Sequence, residues 1–412
     1  MKSAILTVGT ELLFGQITNS NSVYLSQQLN NLGIDVLYHY TVGDNPKRLA
    51  EMIRQAFADC DLVITTGGLG PTQDDLTKEI AAEMLNDELI LHQDILSKLE
   101  SYSKRANRVL TNNNRKQAFL PSRAVRFDNE LGTAPGFALE DKGRTIICLP
   151  GPPGEMTQMF EQKVKPYLQE KTEDVIYYKI IRTFGIGESM LETELKQWID
   201  GQTDPTLATY AKEGEAYLRI TSKRSTLEEA QAAVDDMIEN INQKIGQYIY
   251  SYDGEDLYEV VGKKLLEKNI SISSAESCTG GLFAKTLTDL PGISAVYDRG
   301  FVTYSNKAKM EELGVKAETL EKFGAVSEET AIEMTKGLKK VTGSRLCISV
   351  TGIAGPGGGT EEKPVGLVYI CASLDDKIIC KEFRIRNISR SWNRNYALLC
   401  MLDMVNRLID QA

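Results

Sequence analysis

The stretch DLVITTGGLGPTQDD (residues 61–75) decides how the first part of the chain folds. It begins with a short apolar, β-branched run, which is typical of a buried strand. Three runs of the same kind occur elsewhere in this part of the chain: AILTV (4–8), DVLYHYTV (35–42) and TIICL (145–149). Amphipathic segments separate them, so the alternation predicts an α/β fold with a doubly wound, mostly parallel sheet over residues 1–170.

Three glycines, Gly67, Gly68 and Gly70, follow the run at 61–66. Glycine lets the backbone approach a ligand closely, and the N-terminus of a following helix favours an anion such as phosphate. The stretch lacks the Lys-Ser/Thr of a Walker loop and does not match GxGxxG. In doubly wound sheets, ligands bind at the carboxyl ends of the strands. We therefore expect these glycines to contact an anionic ligand.

Four acidic residues follow the predicted strands: Glu11, Asp44, Asp74 and Asp75. The carboxyl ends of parallel strands meet at one edge, so we expect these acids to converge. Carboxylates beside a phosphate site favour a divalent cation such as Mg²⁺, which uses one or two carboxylates plus phosphate oxygens; the sequence does not distinguish Mg, Mn and Co. Thr72 with Asp75 also fits a helix capping box, and both interpretations of Asp75 stay open.

Residues 171–252 have a different pattern, which predicts a small α+β module. A strand, a helix, a hairpin and a long helix follow one another there. The GIG loop at 185–187 resembles nucleic-acid-binding loops, but the formal net charge of −10 opposes a dedicated nucleic-acid surface. We expect a structural or linking role for this module.

Residues 253–412 form a third predicted unit of mixed strands and helices, and its SISSAESCTGGLFAKTL stretch (271–287) places Ser277, Cys278 and Thr279 side by side. They follow a strand and precede a helix that starts near Gly280. There, free N–H groups could stabilise an oxyanion. The alternative is an N-cap Ser or Thr beside a small buried Cys.

The chain has two histidines, His39 and His92, and neither lies in this C-terminal unit. A Ser-His or Cys-His mechanism would need a second domain to donate a histidine, and lysine is the remaining candidate base for an activated serine. The segment TYSNKAK offers Tyr304, Lys307 and Lys309, and both lysines fit a solvated face equally well. The pKa of either lysine would have to fall by several units through burial or neighbouring cations.

Two further C-terminal segments fit an anionic ligand. Thr351 leads a second glycine-rich turn, SVTGIAGPGGGTEEKP, whose N–H groups could bind a phosphate. Arg390 and Arg394, in RNISRSWNRN, could pair with a phosphate or a carboxylate. The residues alone therefore favour a hydrolase acting on a small phosphorylated molecule.

The composition argues against a membrane-spanning, disulfide-bonded or zinc-binding protein. No run of about 18 apolar residues is present, which predicts no membrane span. The seven cysteines are scattered without a CxxC pair. This pattern fits reduced thiols in a cytoplasm, without a disulfide framework or a zinc site.

Taken together, these motifs resemble the CinA family (competence/damage-inducible protein A) over essentially the whole chain. TVGTELLFGQITNSNS, TGGLGPTQDD and LPGPPGEM resemble its N-terminal domain, whose fold is similar to molybdopterin-binding domains. AESCTGG, GFVTYSNKAK, GAVSEE and SVTGIAGPGGGTEEKPVG resemble its C-terminal domain, of the nicotinamide-nucleotide amidase type. The expected domains are 1–170, 171–252 and 253–412.

The resemblance implies two activities in pyridine-nucleotide salvage. The C-terminal domain would deamidate nicotinamide mononucleotide without a cofactor, with Ser277 as nucleophile, Lys309 as base and Tyr304 orienting or relaying the proton. The N-terminal domain would be a metal-dependent ADP-ribose pyrophosphatase, with Glu11, Asp44, Asp74 and Asp75 holding the metal and pyrophosphate. The expected substrate-binding residues are Cys278, Thr279, Gly280, Gly281, Thr351, Gly352, Arg394, Gly67, Gly68 and Gly70.

Two other functions remain open at this stage. A molybdopterin-handling protein would rest on the N-terminal domain alone. A non-enzymatic scaffold for competence or recombination proteins is suggested by the family name, and the acidic balance favours protein partners over DNA. We also expect a homodimer, because C₂ pairs are the commonest oligomers.

Overall fold

All four apolar runs of residues 1–170 form strands of one six-stranded sheet in the computed structural model, which describes residues 1–105, 111–171 and 175–411. The strands of this region are β1 (Lys2–Val8), β2 (Asp35–Val42), β3 (Leu62–Thr66), β4 (Leu89–Leu91), β5 (Phe119–Pro121), β6 (Val125–Phe127), β7 (Gly136–Asp141) and β8 (Arg144–Leu149). The order is β2-β1-β3-β8-β7-β6. In this order, β2, β1, β3 and β8 run parallel to one another, while β7 and β6 form an antiparallel edge. The predicted mostly parallel sheet is therefore confirmed.

Helices cover both faces of this sheet. They are α1 (Thr10–Leu13), α2 (Ser20–Asn31), α3 (Pro46–Asp59), α4 (Thr77–Met84), α5 (Gln93–Arg105), α6 (Asn112–Arg115), α7 (Pro153–Met159) and α8 (Lys165–Gln169). Side chains alternate across a strand. Leu6 of β1 therefore packs with α3 and α4, while Ile5 packs in a second core with α2 and α7. The carboxyl ends of β1, β2, β3 and β8 thus lie together at one edge.

The middle region contains the predicted strand, helix, hairpin and long helix, together with one short strand that the pattern does not predict. They are β9 (Val175–Thr183), α9 (Glu188–Ile199), β10 (Thr206–Lys212), β11 (Glu215–Arg224), α10 (Leu227–Ile245) and the short strand β12 (Ile249–Ser251). The strands form a sheet in the order β10-β11-β9-β12. The chain divides into two compact units, one of Met1–Tyr178 with Ser222–Ala233 and the other of Lys179–Thr221 with Val234–Ala412. The expected boundaries near 170 and 252 remain predictions.

The C-terminal region is a second α/β layer structure. Its elements are α11 (Leu257–Glu267), β13 (Ile272–Glu276), α12 (Leu282–Thr288), β14 (Tyr297–Val302), α13 (Asn306–Leu313), α14 (Ala317–Phe323), α15 (Glu328–Thr342), β15 (Leu346–Gly352), β16 (Leu367–Leu374), β17 (Lys377–Arg384) and α16 (Arg390–Asp410). The sheet order is β14-β13-β15-β16-β17, with β14, β13 and β15 parallel. One core joins the sheet to α11, α12 and α16, and another joins it to α13 and α15. Among the described residues, no helix is both long and apolar enough to cross a membrane.

Candidate functional sites

The turn between β13 and α12 carries the three candidate nucleophiles. Gly280 (φ +61°) and Gly281 (φ +91°) adopt left-handed backbone conformations that close the turn. A side chain would be strained at either position. The N–H of Ser277 donates to Val350 O at 3.0 Å, which fixes the start of the turn on the neighbouring strand β15.

The buried carboxylate of Glu276 holds the far side of this turn. Its Oε2 accepts from the N–H groups of Gly281 (3.1 Å) and Phe283 (3.0 Å), and its Oε1 accepts from Ala284 (2.9 Å). Glu276, the last residue of β13, therefore caps the N-terminus of α12. The expectation that its N–H groups are free for an oxyanion is wrong for these three amides, because Glu276 already accepts from them.

Ser277 lies against Lys309, and this contact defines the first candidate site. Lys309 Nζ donates to Ser277 Oγ at 3.0 Å and to the main-chain oxygen of Thr303 at 2.7 Å. Lys309 is only 1% exposed and Ser277 8%. Lys307 instead lies at the surface, 3.6 Å from Glu311 across one helical turn. Of the two candidate lysines, the structure therefore places only Lys309 against Ser277.

Burial shifts the protonation of two groups beside Ser277. Loss of solvent lowers the pKa of Lys309 to about 8, which favours its neutral form. The same effect raises the pKa of Cys278 to about 12, so its thiol stays protonated. A protonated thiol is a poor nucleophile. The electrostatics thus favour Ser277 over Cys278.

Tyr304, which we expected to orient or relay the proton, lies at the surface of the C-terminal unit. It is 60% exposed, and its hydroxyl accepts from Arg390 Nη2 at 2.8 Å. Arg390 also donates to Gly355 O at 2.6 Å, in the glycine-rich turn. Thr303, rather than Tyr304, provides the second contact of Lys309. A relay by the Tyr304 hydroxyl remains a hypothesis.

The remaining predicted C-terminal residues surround the same turn. Arg394 Nη2 donates to the main-chain oxygen of Thr279 at 2.5 Å, which connects α16 to the nucleophile turn. Thr351 is buried and its hydroxyl donates to Ala325 O at 2.6 Å. Gly352 ends β15, where a Cβ would lie 2.8 Å from Leu367 O. Arg394 and Thr279 therefore lie at the turn, while Thr351 and Gly352 form the end of its neighbouring strand.

Three buried polar atoms near the Ser277–Lys309 pair have no hydrogen-bond partner among the described residues. They are Thr279 Oγ1, Thr303 Oγ1 and Arg394 Nε. Buried polar groups are almost always bonded, so such a group requires an explanation. Their concentration around one turn is what a site that binds a polar ligand would produce.

The predicted N-terminal residues line one cavity of about 590 Å³ at the carboxyl ends of the strands. Every one of the seven expected residues is part of its wall: Glu11, Asp44, Asp74, Asp75, Gly67, Gly68 and Gly70. Glu155, in the first turn of α7, adds a further carboxylate. The pattern of acids after successive strands thus located this cavity.

Two of these acids form local bonds. Asp44 Oδ2 accepts from the N–H (3.1 Å) and the hydroxyl (2.7 Å) of Thr10. Asp75 Oδ2 accepts from the N–H (2.9 Å) and the hydroxyl (2.6 Å) of Thr72. Helix α4 begins later, at Thr77, and Leu76 is its N-cap without a side-chain bond. The interpretation of Thr72 and Asp75 as a helix capping box is therefore wrong, because this pair closes the loop before the helix.

A metal could bind in this cavity only jointly with a ligand. No group of three or more His, Cys, Asp or Glu side chains within residues 1–105, 111–171 and 175–411 is arranged to hold a metal ion. Mg²⁺ commonly uses one or two carboxylates and takes its other ligands from phosphates and water. The exposed Asp74 and the nearby Glu11 fit that mode. Metal binding by these acids remains a prediction.

Packing requires glycine at two positions of this loop. Gly67 has φ +102°, and a Cβ there would lie 2.2 Å from Val8 O. At Gly68 (φ +70°), a Cβ would lie 2.1 Å from the Thr77 hydroxyl. The N–H of Gly67 donates to Leu149 O at 3.0 Å and is therefore not free to bind a ligand.

Several residues at the two sites were not anticipated. Lys78 is buried behind the glycine loop, where burial lowers its pKa to about 8, and it contacts Lys116 O. Lys116 contacts Asp75 O in turn. Glu276 is adjacent to the predicted nucleophiles, yet its capping role depends on amides five to eight residues later. A pattern of residue types gives no signal for such main-chain contacts.

Profiles of known protein families cover nearly the whole chain. The "Probable molybdopterin binding domain" matches residues 4–170, the damage-inducible protein CinA KH domain matches 178–251, and the CinA C-terminal domain matches 254–409. These matches and the fold define a multidomain α/β protein with a molybdopterin-binding-type domain before a CinA-type domain.

Relatives of similar length share this organisation. A competence-damage inducible protein of Acetivibrio thermocellus is 49% identical over 99% of this chain and 99% of its own. A CinA-like protein of Kosmotoga olearia is 47% identical over 99% of both. The crystal structure of competence/damage inducible protein CihA from Agrobacterium tumefaciens is 42% identical, covering 37% of this chain and 96% of its own, with a TM-score of 0.36. The chain belongs to the CinA family.

Proposed function

We propose that the C-terminal unit is an amidase that hydrolyses the carboxamide of nicotinamide mononucleotide. The single observation that carries this proposal is the buried contact of 3.0 Å between Lys309 Nζ and Ser277 Oγ. A serine and a desolvated amine in hydrogen-bond contact form a nucleophile and base pair. The substrate comes from the resemblance of the surrounding motifs to nicotinamide-nucleotide amidases.

In the proposed reaction, neutral Lys309 accepts the proton of the Ser277 hydroxyl as Oγ attacks the carboxamide carbon. The resulting ammonium of Lys309 then gives this proton to the leaving nitrogen, so that the C–N bond breaks and ammonia departs. Lys309 next removes a proton from a water molecule, which attacks the acyl ester on Ser277. The ester bond breaks, Ser277 recovers its proton, and nicotinate mononucleotide leaves. Thr303 O holds Lys309 in place through both steps.

The N–H groups that donate to the oxyanion are assigned by excluding those of the turn that are already bonded elsewhere. The N–H of Ser277 is used by Val350 O, that of Gly280 by Ser277 O, and that of Gly281 by Glu276. Within residues 277–281, the N–H groups of Cys278 and Thr279 face the neutral thiol of Cys278. We assign these two N–H groups to the tetrahedral oxyanion. Arg394 and the unpaired Thr279 hydroxyl are then available to polar groups of the substrate.

The decisive experiment is ammonia release from nicotinamide mononucleotide without added metal. We expect release by the wild type and none by Ser277→Ala or Lys309→Met, while Lys307→Met keeps its activity. Activity that survives in Ser277→Ala would move the nucleophile to another group. No activity in any protein would leave this unit as a binding module.

A second candidate function is supported by the acidic cavity of the N-terminal unit. We propose that it hydrolyses the pyrophosphate of ADP-ribose, adding one water to give AMP and ribose 5-phosphate. A bound divalent cation would neutralise phosphate charge and polarise the attacking water. Glu11 and Asp74 would hold it, and the loop after Gly67 would bind phosphate oxygens through its N–H groups.

This second function is tested by following AMP formation from ADP-ribose with Mg²⁺, Mn²⁺ or Co²⁺ and with a chelator. We expect cleavage that needs a divalent ion and falls in Asp74→Asn. The matched control is Asp61→Asn, an exposed aspartate outside the residues that line the cavity. Tight binding of molybdopterin to the protein without ADP-ribose cleavage would favour the molybdopterin-handling function instead.

A further inference from the structure

Two of the seven cysteines, Cys371 on β16 and Cys380 on β17, lie opposite each other on neighbouring strands of the C-terminal sheet. Residues paired in this way project from the same face of a sheet. In an antiparallel pair, the Cα atoms of opposite residues are about 4.5–5.5 Å apart. A disulfide needs a Cα separation of about 4.4–6.8 Å. The backbone therefore holds the two cysteines at a spacing that a disulfide can bridge.

The hairpin that joins β16 to β17 keeps this pairing in register. Its ladder runs without a shift from Leu367 opposite Arg384 to Leu374 opposite Lys377. Asp375 (φ +50°) lies in the turn, and its carboxylate pairs with Arg345 at 3.0 Å. A bond between the two sulfurs therefore needs no change in how the strands pair.

The two cysteines differ in their access to solvent. Strand β17 is the edge of the sheet, and Cys380 on it is partly exposed. Cys371, one strand further in, is completely buried. A reagent from solution therefore reaches Cys380 first, with Cys371 directly behind it. The other five cysteines are buried: Cys60, Cys148, Cys278, Cys347 and Cys400.

The thiols of the pair also interact. A hydrogen bond with the Cys380 thiol lowers the pKa of Cys371, although burial acts in the opposite direction. The charged groups of α15 near the pair, Glu328 and Lys336, have opposite effects on the pKa of Cys371. By contrast, burial raises the pKa of each of the five other cysteines. Because a thiolate is the form that attacks a disulfide, the pair is chemically distinct from the other thiols.

From this arrangement we propose that Cys371 and Cys380 are a modification site, which forms a reversible disulfide with a low-molecular-weight disulfide as oxidant. In the first step, the Cys371 thiolate takes the proton of Cys380 as Cys380 Sγ attacks one sulfur of the reagent. The S–S bond of the reagent breaks, one reagent thiolate leaves, and a mixed disulfide remains on Cys380.

In the second step, the released thiolate removes the proton of Cys371 as Cys371 Sγ attacks Cys380 Sγ. The mixed disulfide breaks and the second reagent thiolate leaves. Two protein thiols are thereby oxidised, and one reagent disulfide is reduced to two thiols. The new bond joins the edge strand β17 covalently to β16. Disulfides of this reversible kind are the ones that occur in reducing compartments.

The test is to incubate the reduced full-length protein with oxidised glutathione, block the remaining thiols, digest the protein and identify the peptides by mass spectrometry. We expect one linked peptide pair that contains Cys371 and Cys380. The unfolded protein should have two fewer free thiols than its seven cysteines provide, and dithiothreitol should restore them. Cys380→Ser should form no link, while Cys371→Ser should keep glutathione on Cys380. Cys347→Ala, on the neighbouring strand β15, is the matched control and should form the link as wild type does.

The wild-type peptides decide the proposal even if a variant does not fold. A Cys371–Cys380 link within one chain supports it. Stable glutathione on Cys380 without that link overturns it, because Cys371 would then not attack. Unchanged thiols, or a link between other cysteines, also overturn it. So does a link between two copies of the chain, which appears as a dimer on a non-reducing gel. None of these outcomes depends on the amidase or pyrophosphatase function.

Discussion

At the scale of single residues, Lys309 has the environment of a general base near neutral pH. Burial of Lys309 disfavours its ammonium form. Its two hydrogen-bond partners, Thr303 O and Ser277 Oγ, are neutral oxygens, so they do not compensate for the water that a charged ammonium loses on burial. The ion pair on helix α13 is formed by Lys307 with Glu311 and does not involve Lys309. The neutral amine is therefore available without a histidine.

The pH dependence of ammonia release follows from this environment. Burial lowers the pKa of Lys309 from its ordinary value to about 8. Only the neutral amine accepts the Ser277 proton, so kcat/KM should fall about tenfold per pH unit below that pKa and level off above it. Initial rates across the pH range, at substrate concentrations well below KM, check this prediction.

The control for the pH profile is Lys307→Met, which changes the exposed lysine of the same helix and should leave the rising limb in place. A rate that is constant from acid to alkaline pH would contradict the assignment of Lys309 as base. A rising limb close to the pKa of a free lysine would mean that burial does not shift the pKa of Lys309.

The types and spacing of residues indicated which residues to expect at the candidate sites. They gave little information on the contacts that these residues form. The acids of the N-terminal cavity were expected because they follow successive strands. The residues alone left Ser277, Cys278 and Thr279 open as nucleophiles and Lys307 and Lys309 as bases, and the resemblance to the CinA family selected Ser277 and Lys309. The bonds of Glu276 to the amides at the start of α12 and of Lys309 to Thr303 O were not predicted. A hydrogen bond to a main-chain oxygen or amide forms only where the fold brings the two groups together. Every residue has these main-chain groups, so the residue type does not show which of them will be bonded.

At the scale of elements, the β13–turn–α12 segment is held by Glu276. Three N–H groups donate to one buried carboxylate, so the turn that carries Ser277 is rigid. Hydrogen bonds to a charged group contribute more than neutral ones. The charge of Glu276 is thereby compensated by main-chain dipoles rather than by a cation.

Glu276→Gln should lower kcat of the amidase reaction about ten- to a hundredfold with little change in KM, because a mobile turn misplaces Ser277 after the substrate has bound. The amide keeps the size of the side chain but loses the charge and one acceptor. Steady-state kinetics with nicotinamide mononucleotide measure the effect, with Glu382→Gln on the exposed strand β17 as control. A change confined to KM would show that Glu276 acts on substrate binding instead.

The conformation of the loop after β3 depends on Gly67, as that of the Ser277 turn depends on Glu276. Gly67→Ala places a methyl group 2.2 Å from Val8 O in a backbone conformation that alanine rarely adopts. We expect the loop to shift and the N-terminal unit to lose about 1–3 kcal/mol of stability. Urea unfolding and ADP-ribose cleavage should both report this, while Gly143→Ala, at an open turn between β7 and β8, changes stability without changing cleavage. Normal cleavage by Gly67→Ala would remove this loop from the site.

Long, strongly patterned elements were predicted from the sequence, and short ones were not. Strands β1, β2, β3 and β8 have at least five residues each, and helices α2 and α3 have twelve and fourteen, which is long enough for a sequence pattern to appear. The edge strand β6 and strand β12 have three residues each, too few for a period to appear. Their strand structure is imposed by pairing with β7 and β9.

At the scale of the whole molecule, each candidate site lies inside one compact unit. The acidic cavity is lined by residues between 8 and 155, all within Met1–Tyr178. The residues around Ser277 lie between 276 and 394, all within Val234–Ala412. Neither proposed reaction needs a side chain from the other unit, so the two chemistries should be separable by mutation.

We therefore expect Ser277→Ala to abolish ammonia release and to leave ADP-ribose cleavage within about twofold of wild type, as distant independent sites usually behave. Asp74→Asn should do the opposite, because its carboxylate lines only the acidic cavity. Both reactions are measured on the same preparation of each protein, together with the double variant, which should lose both. If Ser277→Ala also slowed ADP-ribose cleavage strongly, while its thermal unfolding matched wild type, the two sites would be energetically coupled. That coupling would have to pass between the units, since no side chain at the Ser277 turn belongs to the N-terminal cavity.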